Sequence, residues 1–257
     1  MIRTVLRKIR TLFTTDPRWF VRYYRKYGWQ RYYFLKDRLA GRTYWDVTTG
    51  GVHLKMHFHT PYHRSYAKAL NENGIERHLI EPWTDAARRA TVVYDIGGYN
   101  GIYGLLAAKA NPASRVTIFE PDKVNGDHIR ENIRINSLNN CALVEAPVAE
   151  REEVVRFTQH GTTGEHIGTE GKEMTTVSLA SLESADLIKI DIEGFEVGVL
   201  RSIRTKPKGI ILLELHTGFL ERAGDSIESF DREIILGKWR YWLIGDRGTE
   251  KHYLLFG

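Results

Sequence analysis

The sequence predicts an α/β fold: a mostly parallel sheet with helices on both faces, finished by an antiparallel strand near the C-terminus. Three observations carry this. Short apolar runs alternate with stretches of helical periodicity from Thr91 to His216, the pattern of successive βαβ units. The first run, VVYDI, opens into a glycine-rich turn, GGYNG (97–101), and the next, Val116–Phe119, ends on Glu120 and Asp122. That order is expected where a parallel sheet meets a nucleoside at its carboxyl edge. Two final runs, Tyr241–Ile244 and His252–Phe256, are spaced as an antiparallel pair, so the sheet is mixed.

In chain order, Ile2, Val5, Leu6, Ile9, Leu12 and Phe13 recur at helical spacing, with Arg3, Arg7, Lys8 and Arg10 on the other faces. This is a short basic amphipathic helix. Asp16-Pro17 supplies an N-cap and first-turn proline for a second helix bearing Trp19, Phe20, Tyr23, Tyr24 and Tyr27. Gly28 interrupts it before Trp29–Leu39 continues. In VHLKMHFH (52–59), Leu54, Met56 and Phe58 alternate with His53, Lys55, His57 and His59, as in a half-buried strand. These histidines, with His63, have the chemistry of metal ligands. Lys55 shares their face, however, and no acid or cysteine is near in sequence, so they read as solvent-facing and no metal is expected.

Helical pieces at 64–70 and 75–83 lead into the first core strand. Next come a helix at 102–110 stopped by Asn111-Pro112, a strand at 116–119, a helix at 123–136 and a strand at 142–146. Runs 154–157 and 173–177 suit a peripheral hairpin around the glycine-rich loop GTTGEHIG (161–168). A strand at 185–190, a helix at 196–202, a strand at 210–215 and a helix at 226–236 complete the alternation. On this reading residues 1–50 form a helical N-terminal extension and 51–257 one domain, with a cofactor-binding core at about 91–216.

At 257 residues, 42% hydrophobic and 27% charged, the chain can bury one large α/β core. Its single cysteine, Cys141, excludes an internal disulfide and suits a reducing, cytoplasmic setting. No apolar run is long enough to span a bilayer, and basic residues break the N-terminus where a signal peptide needs an apolar core. The net charge of +5 is unevenly held: residues 1–45 carry twelve Lys/Arg against two Asp/Glu, the remainder 25 against 30. The basic, aromatic arm has three candidate partners. These are the protein's own body or a second copy in a homo-oligomer, an anionic inner membrane face met by residues 2–13, or a glycan or nucleic acid. The negative body speaks against a nucleic-acid channel.

The charges around the glycine turn point to the cofactor. Gly97, Gly98 and Gly101 let the backbone approach a ligand with no Cβ in the way. Glu120 stands where a carboxylate accepts both hydroxyls of a ribose and repels a 2′-phosphate. This much fits NAD, FAD and S-adenosylmethionine alike. Asp95, two residues before the first glycine, would repel a pyrophosphate but suits an ammonium and a sulfonium, so S-adenosylmethionine is expected. Capping the following helix is a second, compatible role for Asp95.

Site candidates are the strand ends: 95–101, 120–122, 145–148, 191–194 and 214–216. ADLIKIDIEG sets Asp191 and Glu193 just past one strand, and IILLELH sets Glu214 and His216 at the end of the next. Lys189, inside its strand, needs an acid partner if buried. Methyl transfer to a hydroxyl needs in-line approach and a general base. Asp191, Glu193 and His216 are the candidate bases, with helix capping the alternative for the two acids.

Over about residues 75–216 the chain resembles the FkbM-type methyltransferases, a class I S-adenosylmethionine-dependent family that mostly O-methylates sugars, glycolipids and polyketide products. The resemblance rests on VVYDIGGYNGIYGLLAAK, VTIFEPD, NIRINSLNN and, above all, ADLIKIDIEGFEVGVLRS followed by ILLELH. It implies a Rossmann-like, seven-stranded class I methyltransferase sheet. The implied cofactor set is Asp95, Gly97, Gly98, Tyr99, Asn100, Gly101, Glu120, Pro121, Asp122, Ala146, Pro147 and Asp191. Within it Asp95, Gly97 and Gly101 hold the amino-acid end, Glu120 holds the ribose, and Asp191 with Glu193 borders the methyl site. The family usually has D-x-G-A-N-x-G. Here Gly98 takes the alanine position and Tyr99 the asparagine position, leaving Asn100 or the Tyr99 hydroxyl to replace that contact. The expected activity is O-methylation of a carbohydrate or glycoconjugate hydroxyl. The acceptor would enter between the N-terminal segment, the 161–168 loop and the 191–216 edge. Methylation of RNA or protein, and a non-catalytic binding role, are the rival readings.

Overall fold

A computed structural model describes residues 28–58, 60–72, 76–158, 167–168, 170–203 and 205–257. The helices expected over 2–13 and 16–27, and most of the 161–168 loop, lie outside the described residues.

Helix α1 (Trp29–Leu39) precedes a hairpin of β1 (Tyr44–Thr49) and β2 (Val52–His57), then helices α2 (Pro61–Glu72) and α3 (Arg77–Ala87). The core begins with β3 (Val92–Ile96), α4 (Ile102–Ala110), β4 (Arg115–Phe119), α5 (Lys123–Ile135) and β5 (Cys141–Val144). Short strands follow: β6 (Val148–Ala149), β7 (Val154–Phe157), β8 (Ile167–Gly168), β9 (Lys172–Thr175) and β10 (Val177–Ser178). The alternation resumes with β11 (Leu187–Ile190), α6 (Glu196–Ser202), β12 (Ile210–His216), α7 (Ile227–Leu236), β13 (Arg240–Asp246) and β14 (Glu250–Phe256).

Seven strands build the central sheet in the order β13-β14-β12-β11-β3-β4-β5. From β12 to β5 they run parallel, and β14 lies antiparallel between β12 and β13. This is the expected Rossmann-like class I methyltransferase sheet. The chain leaves β3 towards β4 and β5 on one side and returns to β11 and β12 on the other. Strand order therefore reverses between β3 and β11, where open α/β sheets take their ligands. Alternate residues face opposite layers. Val93, Val116, Leu187 and Leu212 join the core that holds α3, α4 and the β1–β2 hairpin. Tyr94, Ile96, Ile188, Ile190 and Leu213 join the one that holds α6 and α7. Helices thus cover both faces. No helix among the described residues is long and apolar enough to cross a membrane.

Four local outcomes differ from expectation. Tyr44–Thr49, read as part of the extension, pairs with β2 from Tyr44↔His57 to Thr49↔Val52, so the hairpin straddles the boundary set at residue 50. Gly50 and Gly51, at φ 55° and 68°, supply the two left-handed positions that a tight two-residue hairpin turn demands. The strand expected to reach Ala146 ends at Val144. Peripherally, β9 pairs with β7 as expected, but Val177 leaves that hairpin to pair in parallel with Val148 of β6. The histidines of the β2 segment do not simply face solvent. His57 is half-buried and His63 buried, and they pack around the ring of His128, His63 stacking on it at 4.1 Å, because α5 covers that side of the hairpin.

The NIRINSLNN run accounts for that cover. Asn136 Oδ1 accepts from Lys55 N (2.8 Å) while its Nδ2 donates to Lys55 O (2.7 Å). Asn132 Oδ1 accepts from His57 N (2.8 Å) and its Nδ2 donates to Asn100 O (2.9 Å). Two side-chain amides therefore act as the next strand for β2 and tie it to the glycine turn. Asn132→Ala removes the partners of two backbone groups and is expected to cost about 1–3 kcal/mol. Exposed Asn139→Ala should stay within about 0.5 kcal/mol. Urea unfolding of both variants checks this, and equal midpoints would contradict it.

Candidate active site

A cleft of about 330 Å³ opens over the carboxyl ends of β3, β4, β11 and β12, within the size of small-molecule sites. Of the residues singled out from sequence, Gly97, Gly98, Tyr99, Asn100, Glu120, Pro121, Ala146, Pro147, Asp191, Glu193 and His216 line it. Asp95, Gly101 and Asp122 do not.

The floor is backbone. Gly97 has φ 80°, and a Cβ there would lie 1.7 Å from the Asp191 carbonyl oxygen, so only glycine lets the ends of β3 and β11 meet. A Cβ on Gly98 would lie 2.3 Å from Ile118 Cγ2; Ile118 occupies the space of the family's usual alanine methyl. Tyr99, at φ 49°, donates its N–H to Glu120 Oε2 (2.7 Å), while Asp122 N donates to Glu120 Oε1 (2.9 Å). Two amides therefore fix the Glu120 carboxylate at the tip of β4. Asn100 Oδ1 turns inward and accepts from Ile102 N (3.0 Å).

The three residues outside the cleft serve helix starts. Gly101 is the left-handed N-cap of α4, and Asp122 caps α5 by accepting from Val124 N and Asn125 N. Asp95 points under the sheet. Its Oδ2 accepts from Gly104 N (2.7 Å), and its Oδ1 has no hydrogen-bond partner among the described residues. Burial pushes its carboxyl up to about 6, against the pull of Lys189 and the Gly104 N–H and with the push of Asp191.

The far wall is acidic. Lys189 Nζ, buried in β11, sits 2.7 Å from Asp191 Oδ2, the partner its burial requires. Burial opposes the lysine's charge, but Asp191, Asp95 and Glu214 outweigh it and hold the ammonium protonated. Burial likewise pushes Asp191 up, yet Lys189 and then His216 keep it below the usual carboxylate range. Glu193, held at φ 55°, is raised chiefly by burial. His216 Nδ1 meets Glu196 Oε1 at 2.8 Å. Its Nε2 faces Glu214, Asp191 and Glu193 at 3.8, 3.9 and 3.9 Å. Burial lowers this imidazole, but Glu196 and the surrounding acids lift it to about 9.

Sequence reasoning missed Tyr62, Tyr66, Glu76, Tyr103 and Glu250, which also line the cleft. Tyr66 and Tyr103 hydroxyls both donate to Glu76 Oε2, at 3.1 and 3.0 Å. Tyr103 was legible as the one hydroxyl in the aliphatic run IYGLLAA; nothing marked Glu76. Three of the non-glycine residues with left-handed backbone, Glu76, Tyr99 and Glu193, line this cleft, where strain commonly serves function. Among the described residues, six acids (Glu76, Glu120, Asp191, Glu193, Glu214 and Glu250) line the cleft, with only Lys189 and His216 against them. The arrangement suits a cationic, phosphate-free ligand.

Residues 95–241 match the methyltransferase FkbM domain. The chain belongs to the FkbM methyltransferase family. It is 35% identical over 77 residues to an uncharacterised protein of Methanocaldococcus jannaschii. That match covers 30% of this chain and 26% of the relative's length. Among solved structures it is similar to a Podospora anserina methyltransferase (TM-score 0.45, 16% identity, 68% of this chain and 76% of that one). It is also similar to the ribosomal protein L11 methylase of Lactobacillus delbrueckii subsp. bulgaricus (TM-score 0.44, 14% identity, 70% and 79%). With the FkbM family comes S-adenosylmethionine as cofactor. The cleft fits it, with a glycine backbone floor, a carboxylate fixed at the tip of β4 and an acidic wall for a sulfonium.

Asp95 generates a prediction. An unfolded aspartate titrates near 3.9, whereas the folded carboxyl keeps its proton to about pH 6. The folded state therefore binds more protons between these values, and stability falls as pH rises across that window. Asp95→Asn, which keeps an acceptor for Gly104, should gain roughly 2–3 kcal/mol over wild type between pH 4 and 7. Urea unfolding at several pH values measures this; parallel profiles would contradict it.

Proposed function

We propose that this chain is an S-adenosylmethionine-dependent O-methyltransferase whose acceptor is a hydroxyl of a sugar, glycan or glycolipid. The observation that carries the reading is the acidic wall, with Glu193 beside His216 and Asp191 at the strand ends where the family borders its methyl. Gly97 and Gly98 would border the amino-acid end of the cofactor, Glu120 its ribose, and Asp191 with Glu193 its methyl. When bound, the cofactor supplies an electrophilic methyl on a sulfonium.

The chain's own task is then to align an alcohol and take its proton. Asp191 is engaged by Lys189, and His216 is set between Glu196 and three further carboxylates. Among the described residues the nearest ion-pair partner of Glu193 is His216, at 3.9 Å, so Glu193 is the side chain best placed to act as base. Tyr62 supports a sugar acceptor. Its ring is 52% exposed at the cleft rim, edge-on to Tyr99 at 6.2 Å, and an aromatic face suits the C–H face of a pyranose.

The direct test is transfer of isotope-labelled methyl to a panel of oligosaccharides, glycolipids, RNA and peptides. The expected product is a methyl ether of a sugar; label recovered on nitrogen, or only on RNA or peptide, would overturn the reading. Glu193→Gln should lower kcat by about 100-fold or more while cofactor Kd stays within about twofold. An unchanged kcat would remove Glu193 as base. Tyr62→Ala should raise KM for the acceptor several-fold with kcat near wild type; an unaltered KM would remove the stacking role.

A further inference from the structure

We propose that Asp191, Glu214 and His216 form a site for a divalent first-row transition cation in the wall of the cleft. One ligand atom from each of the three lies within 4.8 Å of the others. The separations from His216 Nε2 to Asp191 Oδ1 and Glu214 Oε1 are 3.9 and 3.8 Å. These are too long for hydrogen bonds and a few tenths of an ångström longer than the roughly 3.3–3.6 Å edge of a tetrahedral site with bonds of about 2.0–2.2 Å, so a small inward closure of the side chains would let them share one cation.

Two further observations converge on this spot. The His216 side chain is 10% exposed, and its Nδ1 is fixed by the fully buried Glu196 at 2.8 Å. A carboxylate on the far ring nitrogen is the usual support of a metal-bound histidine, and it aims Nε2. Behind Glu214 lies His252, 1% exposed. Its Nε2 lies 3.2 Å from Glu250 Oε1 and 3.4 Å from Glu214 Oε2. The two histidines approach opposite oxygens of the Glu214 carboxylate.

The companion set of Glu214, Glu250 and His252 is the weaker candidate, because Glu250 Oε1 already holds Arg247 at 2.7 Å. Asp191 meets Lys189 through Oδ2 and keeps Oδ1 towards His216. One imidazole and two carboxylates favour Mn²⁺, Fe²⁺ or Zn²⁺ over Mg²⁺ or Ca²⁺, which prefer all-oxygen shells. Binding does not depend on the methyltransferase reading. The cation's role does rest on it: a hydroxyl on its open face would give up its proton to Glu193 more readily.

The test titrates chelator-treated full-length chain with Mn²⁺ and follows free Mn²⁺ by electron paramagnetic resonance. S-adenosylhomocysteine binding is measured calorimetrically on the same sample with and without Mn²⁺. The expected result is one tight Mn²⁺ per chain, weakened at least about tenfold in Glu214→Gln and in Asp191→Asn, with circular dichroism confirming folded variants. If Glu214→Gln fails to fold, Asp191→Asn carries the comparison. No Mn²⁺ bound by folded wild type at about 1 mM, or equal binding by the folded variants, overturns the site. S-adenosylhomocysteine bound without Mn²⁺ would in that case leave the methyltransferase reading standing.

Discussion

The contact between Gly97 and the Asp191 carbonyl is the constraint on which the rest of the structure turns. The two central strands meet there backbone to backbone, with room for no side chain. One side of that contact leads to Tyr99 and, through its amide, to Glu120; the other leads to Glu193 and the acids around His216. Any Cβ at residue 97 would drive apart the half of the sheet that ends in Glu120 and the half that ends in Asp191 and Glu193. Two residues beyond the contact on each side, Tyr99 and Glu193 both adopt left-handed backbone. The chain turns sharply on both flanks of one cleft, and the packing of α4 and α6 holds it there.

Lys189 is the electrostatic counterpart of that contact. It is the cation at the centre of Asp95, Asp191 and Glu214, and the Tyr103 ring lies 4.8 Å from its ammonium. A buried ion pair adds little net stability, but loss of one partner leaves an uncompensated buried charge that costs several kcal/mol. The lysine therefore makes an acid-rich cleft tolerable before a cationic ligand arrives. The same acids that would repel a pyrophosphate are what a sulfonium and an ammonium need.

Much of this was legible in the sequence, and the misses have definite causes. Periodicity located the core strands and helices because each buries one face or stripe, and the need of a buried Lys189 for an acid was met by Asp191. Asp95 shows the limit of charge logic. Its sign suited the cofactor, but strand parity, which sets it on the side of Val93 and α4, sends the carboxylate to Gly104. That parity was readable from VVYDI. The β1–β2 hairpin was also readable, from Gly50-Gly51 between alternating runs. Glu76 was not, because it reaches the cleft only through tertiary packing that brings Tyr66 and Tyr103 to its carboxylate. Asn132 and Asn136 stood out as a motif, but side chains that imitate a strand leave no periodic trace.

The acid-rich cleft at the β3–β11 reversal suits a positively charged, phosphate-free nucleoside. Competitive calorimetry with S-adenosylmethionine and NAD⁺ tests it most directly, in wild type and in Glu120→Ala. The expected result is one site for S-adenosylmethionine, no heat from NAD⁺, and loss of at least about tenfold in affinity when the carboxylate at the tip of β4 is removed. NAD⁺ that binds and displaces S-adenosylmethionine, or a Glu120→Ala variant that binds it as tightly as wild type, would show that the cleft is not built for that cofactor.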